Sequence, residues 1–96
     1  MIDLHTHTLL SDGALLPSEM VRRAFVCGYK VIALTDHADS ATIDFVIPRL
    51  LKAAKDLNKF WGQNIKVIPG VEITHVPLEL IPELIEYARG EGTVLV

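Results

Sequence analysis

A parallel α/β fold is what this sequence predicts, and three observations carry the prediction. Short apolar runs of strand type alternate with longer segments of helical period. Each run is bounded by Gly, Pro, Asn or charged residues. The runs are mostly aliphatic, as strands covered on both faces are. They are Met1 to Leu4, Val31 to Leu34, Lys66 to Ile68 and Thr93 to Val96. The order βαβαβαβ with right-handed crossovers gives four adjacent parallel strands, in an open sheet or in half of a barrel.

The helical segments follow from apolar spacing and punctuation. Pro17 to Cys27 places Pro17 in a first turn, sets Met20, Val21, Ala24 and Phe25 on one face, and stops at Gly28. From about Thr42 to Trp61, Leu50, Leu51, Ala54, Leu57 and Phe60/Trp61 form an apolar stripe, with Asp39 or Ser40 as cap. Pro48 is expected to kink or restart that helix. A third helix, from about Leu78 to Arg89, has Pro82 near its start and Gly90 at its end. Trp61 and Tyr87 sit at core spacing and are read as packing residues.

Composition sets the outer bounds. With 96 residues, 50% of them hydrophobic and 22% charged, the chain is read as one globular domain covering residues 1–96. No apolar run reaches the roughly 20 residues of a membrane span, and no basic start with an apolar stretch marks a signal peptide. The cytoplasm is the expected location, with no membrane partner. A net charge of −3 argues against broad electrostatic capture of nucleic acid. The single Cys27 cannot form an intramolecular disulfide and reads as a small buried hydrophobe.

Metal-binding residue types recur just after the apolar runs: His5, His7 and Asp12 after the first, Asp36 and His37 after the second, Glu72 and His75 after the third. In parallel α/β folds the carboxyl ends of strands form one rim, so residues far apart in sequence converge there. In the segment D-L-H-T-H-T-L-L-S-D-G, strand alternation turns Asp3, His5 and His7 to the same side. Two imidazoles on one face can chelate a divalent ion, and Asp3 is placed to accept the other N–H of one of them. In A-L-T-D-H-A-D, His37 lies in the turn after the strand, Asp36 points away from it to support or cap, and Asp39 reads as a helix cap. In V-I-P-G-V-E-I-T-H, Glu72 is a carboxylate able to bridge two ions, and His75 is a further site candidate.

H-x-H followed by S-D-G, then T-D-H, then G-x-E resemble the first three motifs of the PHP (polymerase and histidinol phosphatase) family, in order and spacing, over essentially the whole chain. The resemblance implies a distorted seven-stranded (β/α) TIM-like barrel, of which this chain is about half. It implies two or three divalent ions, Zn, Mn or Fe, with His5 and His7 as ligands of the first, Glu72 as the bridge to a second, and Asp12 with His37 as ligands of a third. Glu72 and His37 then serve catalysis through the metals. The expected activity is hydrolysis of a small phosphorylated substrate by metal-activated water, as in histidinol phosphatases. A polymerase-associated or non-catalytic module, or a related hydrolase of C–N bonds, are the other classes the motifs allow. The resemblance implies further ligands from later strands that residues 1–96 do not contain, so the remainder of a barrel, or self-association, is expected to complete the structure, and residues 1–96 alone are expected to be inactive.

Overall fold

The computed structural model describes residues 1–93. Three strands form a parallel sheet in the order β1 (Ile2–Thr6), β2 (Val31–Leu34), β4 (Lys66–Pro69). Between them run α1 (Pro17–Val26) and α2 (Ile43–Trp61), and α3 (Ile81–Glu91) follows a 3-10 turn at Leu78–Leu80. Each successive sheet strand is thus the spatial neighbour of the last, joined through a helix as parallel pairing requires. The expected strand Thr93 to Val96 falls outside the described residues except for Thr93, which lies in coil with its hydroxyl on the Ala88 carbonyl.

The core lies between the sheet and α2. Ile43, Val46, Ile47, Leu50, Ala54 and Leu57 form the buried stripe of α2 at helical spacing and pack with Ile32, Leu34 and Val67 of the strands and Leu84 and Ala88 of α3. The helix runs as one element through Pro48 rather than restarting there. The proline stands in the second turn, where it forfeits only the bond to the Asp44 carbonyl. Asn58 reaches across from α2: its amide donates to Val67 O and accepts from Val67 N, both at 2.8 Å. A side chain thereby supplies the paired donor and acceptor that a neighbouring strand would give the edge of β4.

Several details depart from expectation. α3 passes through Gly90 and ends at Gly92, whose φ of 110° is the left-handed cap conformation that glycine tolerates. Cys27 is exposed rather than buried, because it caps α1 instead of continuing its apolar face. Ile2 and Leu4 are also exposed, at 65% and 50%, since β1 is an edge strand with one face left uncovered by the described elements.

A second, two-stranded parallel ladder was not anticipated. β3 (His37–Ala38) and β5 (Glu72–Ile73) continue past the ends of β2 and β4 and pair with His37 opposite Glu72. The Glu72 N–H donates to Asp36 O at 2.9 Å and the Thr74 N–H to Ala38 O at 3.0 Å. The rim that carries the polar residues is therefore itself built of backbone hydrogen bonds.

Candidate metal centre

Five of the residues singled out in the sequence meet at this rim. His5 stands in β1 and His7 just past its end, with their Nε2 atoms 3.1 Å apart. Glu72 Oε1 lies 2.5 Å from His5 Nε2 and 3.1 Å from His7 Nε2, while Oε2 lies 3.0 Å from His37 Nε2. Asp12 joins the other nitrogens: Oδ1 is 3.0 Å from His7 Nδ1 and Oδ2 is 3.2 Å from His37 Nδ1. Both carboxylates are thus two-ended, each touching two imidazoles or more.

The electrostatics keep both acids ionised. Partial burial pushes the Asp12 carboxyl up, but His37, then His7, its own backbone N–H and the Ser11 hydroxyl outweigh it and leave it below the ordinary Asp range. For Glu72, burial again raises, and the hydrogen bonds of His5 and His7 with the charges of His37 and His5 prevail, so its carboxyl too is lowered. Two negative charges then share one small site.

Two groups of donors have the spacing of metal ligands: His5, His7 and Glu72, and His7, Asp12 and His37. Ligand atoms held about 2.0–2.2 Å from one ion stand roughly 3 Å from each other, close to what these distances show. Two facing imidazole lone pairs can share one proton at best, whereas a cation satisfies both. The residues therefore fit a divalent ion, and their nitrogen and oxygen donors suit zinc, manganese or iron.

Not every expected residue joins. Asp3 does not accept an imidazole N–H; its Oδ1 takes the backbone N–H of His5 at 3.1 Å. A short side chain reaches the main chain two residues on more readily than a ring projecting outward. The tautomer-fixing contact falls to Asp12, which faces Nδ1 of His7 and leaves Nε2 toward Glu72. His75 stands outside the two donor groups: it is exposed, has a left-handed φ of 56°, and places Nδ1 3.1 Å from the Thr74 hydroxyl. The turn at Thr74–His75 carries its ring off the ladder.

Asp36 is fully buried beneath the rim. It accepts from Thr8 N at 2.6 Å, Thr8 Oγ1 at 2.8 Å and Ser11 Oγ at 2.5 Å. Thr8 and Ser11 were not singled out as site residues in the sequence. The signal was present, since alternation from the buried Ile32 and Leu34 sends Asp36 inward, where a carboxylate needs donors. Gly13 was likewise passed over. A Cβ there would lie 2.2 Å from the His7 carbonyl oxygen, so the S-D-G turn needs glycine to close on the strand it follows.

With this geometry in place, the comparisons decide the family: a profile described as PHP domain matches residues 3–93. The chain belongs to the PHP family. An uncharacterized protein of Methanocaldococcus jannaschii is 45% identical over 98% of the chain, which spans 43% of that protein. A protein of Haemophilus influenzae named 5'-3' exoribonuclease is 43% identical over 75% of the chain, which covers 23% of it. Among solved structures, the histidinol phosphate phosphatase of Lactococcus lactis, determined with zinc, L-histidinol and phosphate, superposes with a TM-score of 0.73. That match covers 92% of this chain and 35% of the other at 23% identity, and it establishes the likeness of fold. No helix among the described residues is long and apolar enough to cross a membrane.

Proposed function

We propose that this chain supplies the ligand-bearing N-terminal part of a single PHP barrel domain that hydrolyses phosphoesters with divalent metal. The observation that carries the reading is the convergence of His5, His7, Asp12, His37 and Glu72 at the carboxyl ends of parallel strands. Ions held there would supply Lewis acidity and lower the pKa of a coordinated water. His5 and His7 would hold one ion with Glu72 Oε1, and the second oxygen of Glu72, facing His37, reaches the neighbouring position. Asp12 orients His7 and His37 through their Nδ1 atoms or joins His37 as a ligand. Leu4, Val71, Ile73, Ile81 and Ile85 border a cavity of about 470 Å³ that opens beside His5 and Glu72 and gives one side of the centre a mostly apolar wall.

Names of the relatives and neighbour point to two kinds of phosphoester, a phosphomonoester and the phosphodiester of RNA. The exoribonuclease relative favours the second as an alternative substrate. The net charge of −3 disfavours capture of a long nucleic acid by the whole surface, but not of a single strand end at the rim. The test is release of phosphate from a panel of phosphomonoesters and of nucleotides from a short labelled RNA, with the full-length barrel protein chelated and then reloaded with Zn or Mn. Metal-dependent turnover of either class is expected. A protein that holds no divalent ion, or that cleaves neither class when loaded, would overturn the reading.

A further inference from the structure

One fully buried charge is left unused by the reading above. Asp36 has three donors, all neutral, and all come from Thr8 and Ser11 at the start of the loop that carries Asp12. Ser11 is a two-way link, because its Oγ donates to Asp36 and accepts the His37 N–H at 3.2 Å. The backbone bonds of this loop, Leu9 N to Leu15 O, Ser11 N to Thr8 O and Gly13 N to Thr8 O, are internal to it. They shape the loop without tying it to the strand that bears His37. The tie is made by side chains.

We propose that Asp36 and Ser11 are positioning residues that hold Asp12 against His7 and His37, and so set occupancy of the ion position that depends on Asp12 more strongly than that of the His5–His7–Glu72 position, which feels Asp12 only through His7. The proposal rests on the metal reading given above. Selectivity follows from how each ligand is anchored. His5 lies within the β1–β2 ladder, and Glu72 is fixed by the β3–β5 ladder through the Asp36 carbonyl, which survives any change of the Asp36 side chain. Asp12 lies on an exposed turn, 58% accessible at its side chain, and besides its contacts with His7, His37 and the Ser11 hydroxyl it depends on the loop's geometry for its place. When a buried carboxylate that takes three hydrogen bonds is altered, those donors are left unmatched and the loop is free to move.

The experiment titrates the purified protein with Mn²⁺ or Co²⁺ alone, by calorimetry and by the visible absorption of bound cobalt. Wild type is compared with Asp12→Ala, Ser11→Ala, Ser11→Thr and Asp36→Asn. The binding event lost in Asp12→Ala should be weakened roughly 10- to 100-fold in Ser11→Ala and at least as much in Asp36→Asn, the usual scale for a residue supporting a ligand. The other event should weaken distinctly less, because Asp12 reaches it only through His7, and Ser11→Thr, which keeps the hydroxyl, should bind as wild type does. Should Asp36→Asn fail to fold, Ser11→Ala still decides, since it leaves both Thr8 bonds to Asp36. A parallel loss of every event, which general destabilisation would produce, overturns the proposal, and so does an Asp12-dependent event untouched by Ser11→Ala. A wild-type protein that binds no ion overturns the metal reading itself, and this proposal with it.

Discussion

Replacing Gly13 by alanine tests how closely the loop of the metal centre is fitted to its strand. The added methyl would sit 2.2 Å from the His7 carbonyl oxygen, 2.6 Å from the His7 carbonyl carbon and 2.9 Å from that of Thr8. All three are backbone atoms, so no rotamer change relieves the clash. Ordinary contact begins near ~3.5 Å, which requires the turn to open by roughly 1 Å. That opening breaks the bond from Gly13 N to Thr8 O, 2.8 Å long, and carries the adjacent Asp12 away from His7 and His37. Overpacking costs about 1–3 kcal/mol and the hydrogen bond about 1 kcal/mol, for a loss on the order of 2–4 kcal/mol. In a unit of this size the melting temperature should fall on the order of 10–20 °C. A 1 Å displacement of a positioned group also costs on the order of 100-fold in rate. Thermal melting by circular dichroism and metal-dependent phosphoester hydrolysis measure the two effects. A Gly13→Ala protein with wild-type melting and wild-type rate would refute the close approach on which the loop's geometry depends.

Glu72→Gln keeps the shape of the side chain but removes its charge and turns one acceptor into a donor. Bound metal after dialysis should fall by more than the roughly 10- to 100-fold typical of a supporting residue, and full retention would show that this carboxylate is no ligand. Asn58→Ala strips the buried Val67 of partners for both its N–H and its carbonyl. Urea unfolding should report a loss of about 2–6 kcal/mol, each of the two orphaned groups costing about 1–3 kcal/mol; a change below about 0.5 kcal/mol would mean that the amide does not support the edge. Asp39 is held below the ordinary Asp range by the Thr42 hydroxyl and the Ala41 N–H, against the opposing effect of burial. Its folded value is depressed, so its stabilisation is present above about pH 4 and disappears as pH falls through the lowered value. The stability gap between wild type and Asp39→Ala should therefore close in acid, and a gap constant from neutral pH to about pH 2 would contradict a role for this carboxylate in the turn before α2, whose N-cap is Thr42 and not the expected Asp39 or Ser40.

Much of the fold was legible because apolar spacing and chain punctuation report burial directly. The three helices and the three sheet strands fall where periodicity, Pro17 and Gly28 put them. What was not legible depends on conformation at single residues or on faces that pairing alone decides. Gly90 and Gly92 are both plausible stops for α3, and only the backbone angle at 92 distinguishes them. Ile2 and Leu4 read as buried because an aliphatic strand carries no mark of which face lacks a cover. The β3–β5 ladder is two residues long, too short for any alternation to announce it.

The site was legible for a different reason. Parallel topology sends the residue after every strand to the same rim, so residue type at strand ends sufficed to bring together His5, His7, His37 and Glu72. Roles within the rim were harder, because they depend on which atom faces which. Asp3 lost its expected part to Asp12 through a contact that strand alternation cannot encode. The charges of the assembled cluster add a constraint that residue type alone did not reveal. Two carboxylates, both held below their ordinary range, lie within the cluster, and among the described residues its ion pairs involve only histidines and carboxylates. No lysine or arginine takes part in them. A phosphoester approaching this rim before a divalent ion is in place meets like charge in a partly desolvated position, which is unfavourable. Once the ions are bound, the sign reverses and the same position attracts phosphate oxygens. If the rim acts on phosphoesters as proposed, metal loads before substrate: inorganic phosphate should fail to bind the chelated protein and should bind after Zn or Mn is restored, a dependence that calorimetry reads directly.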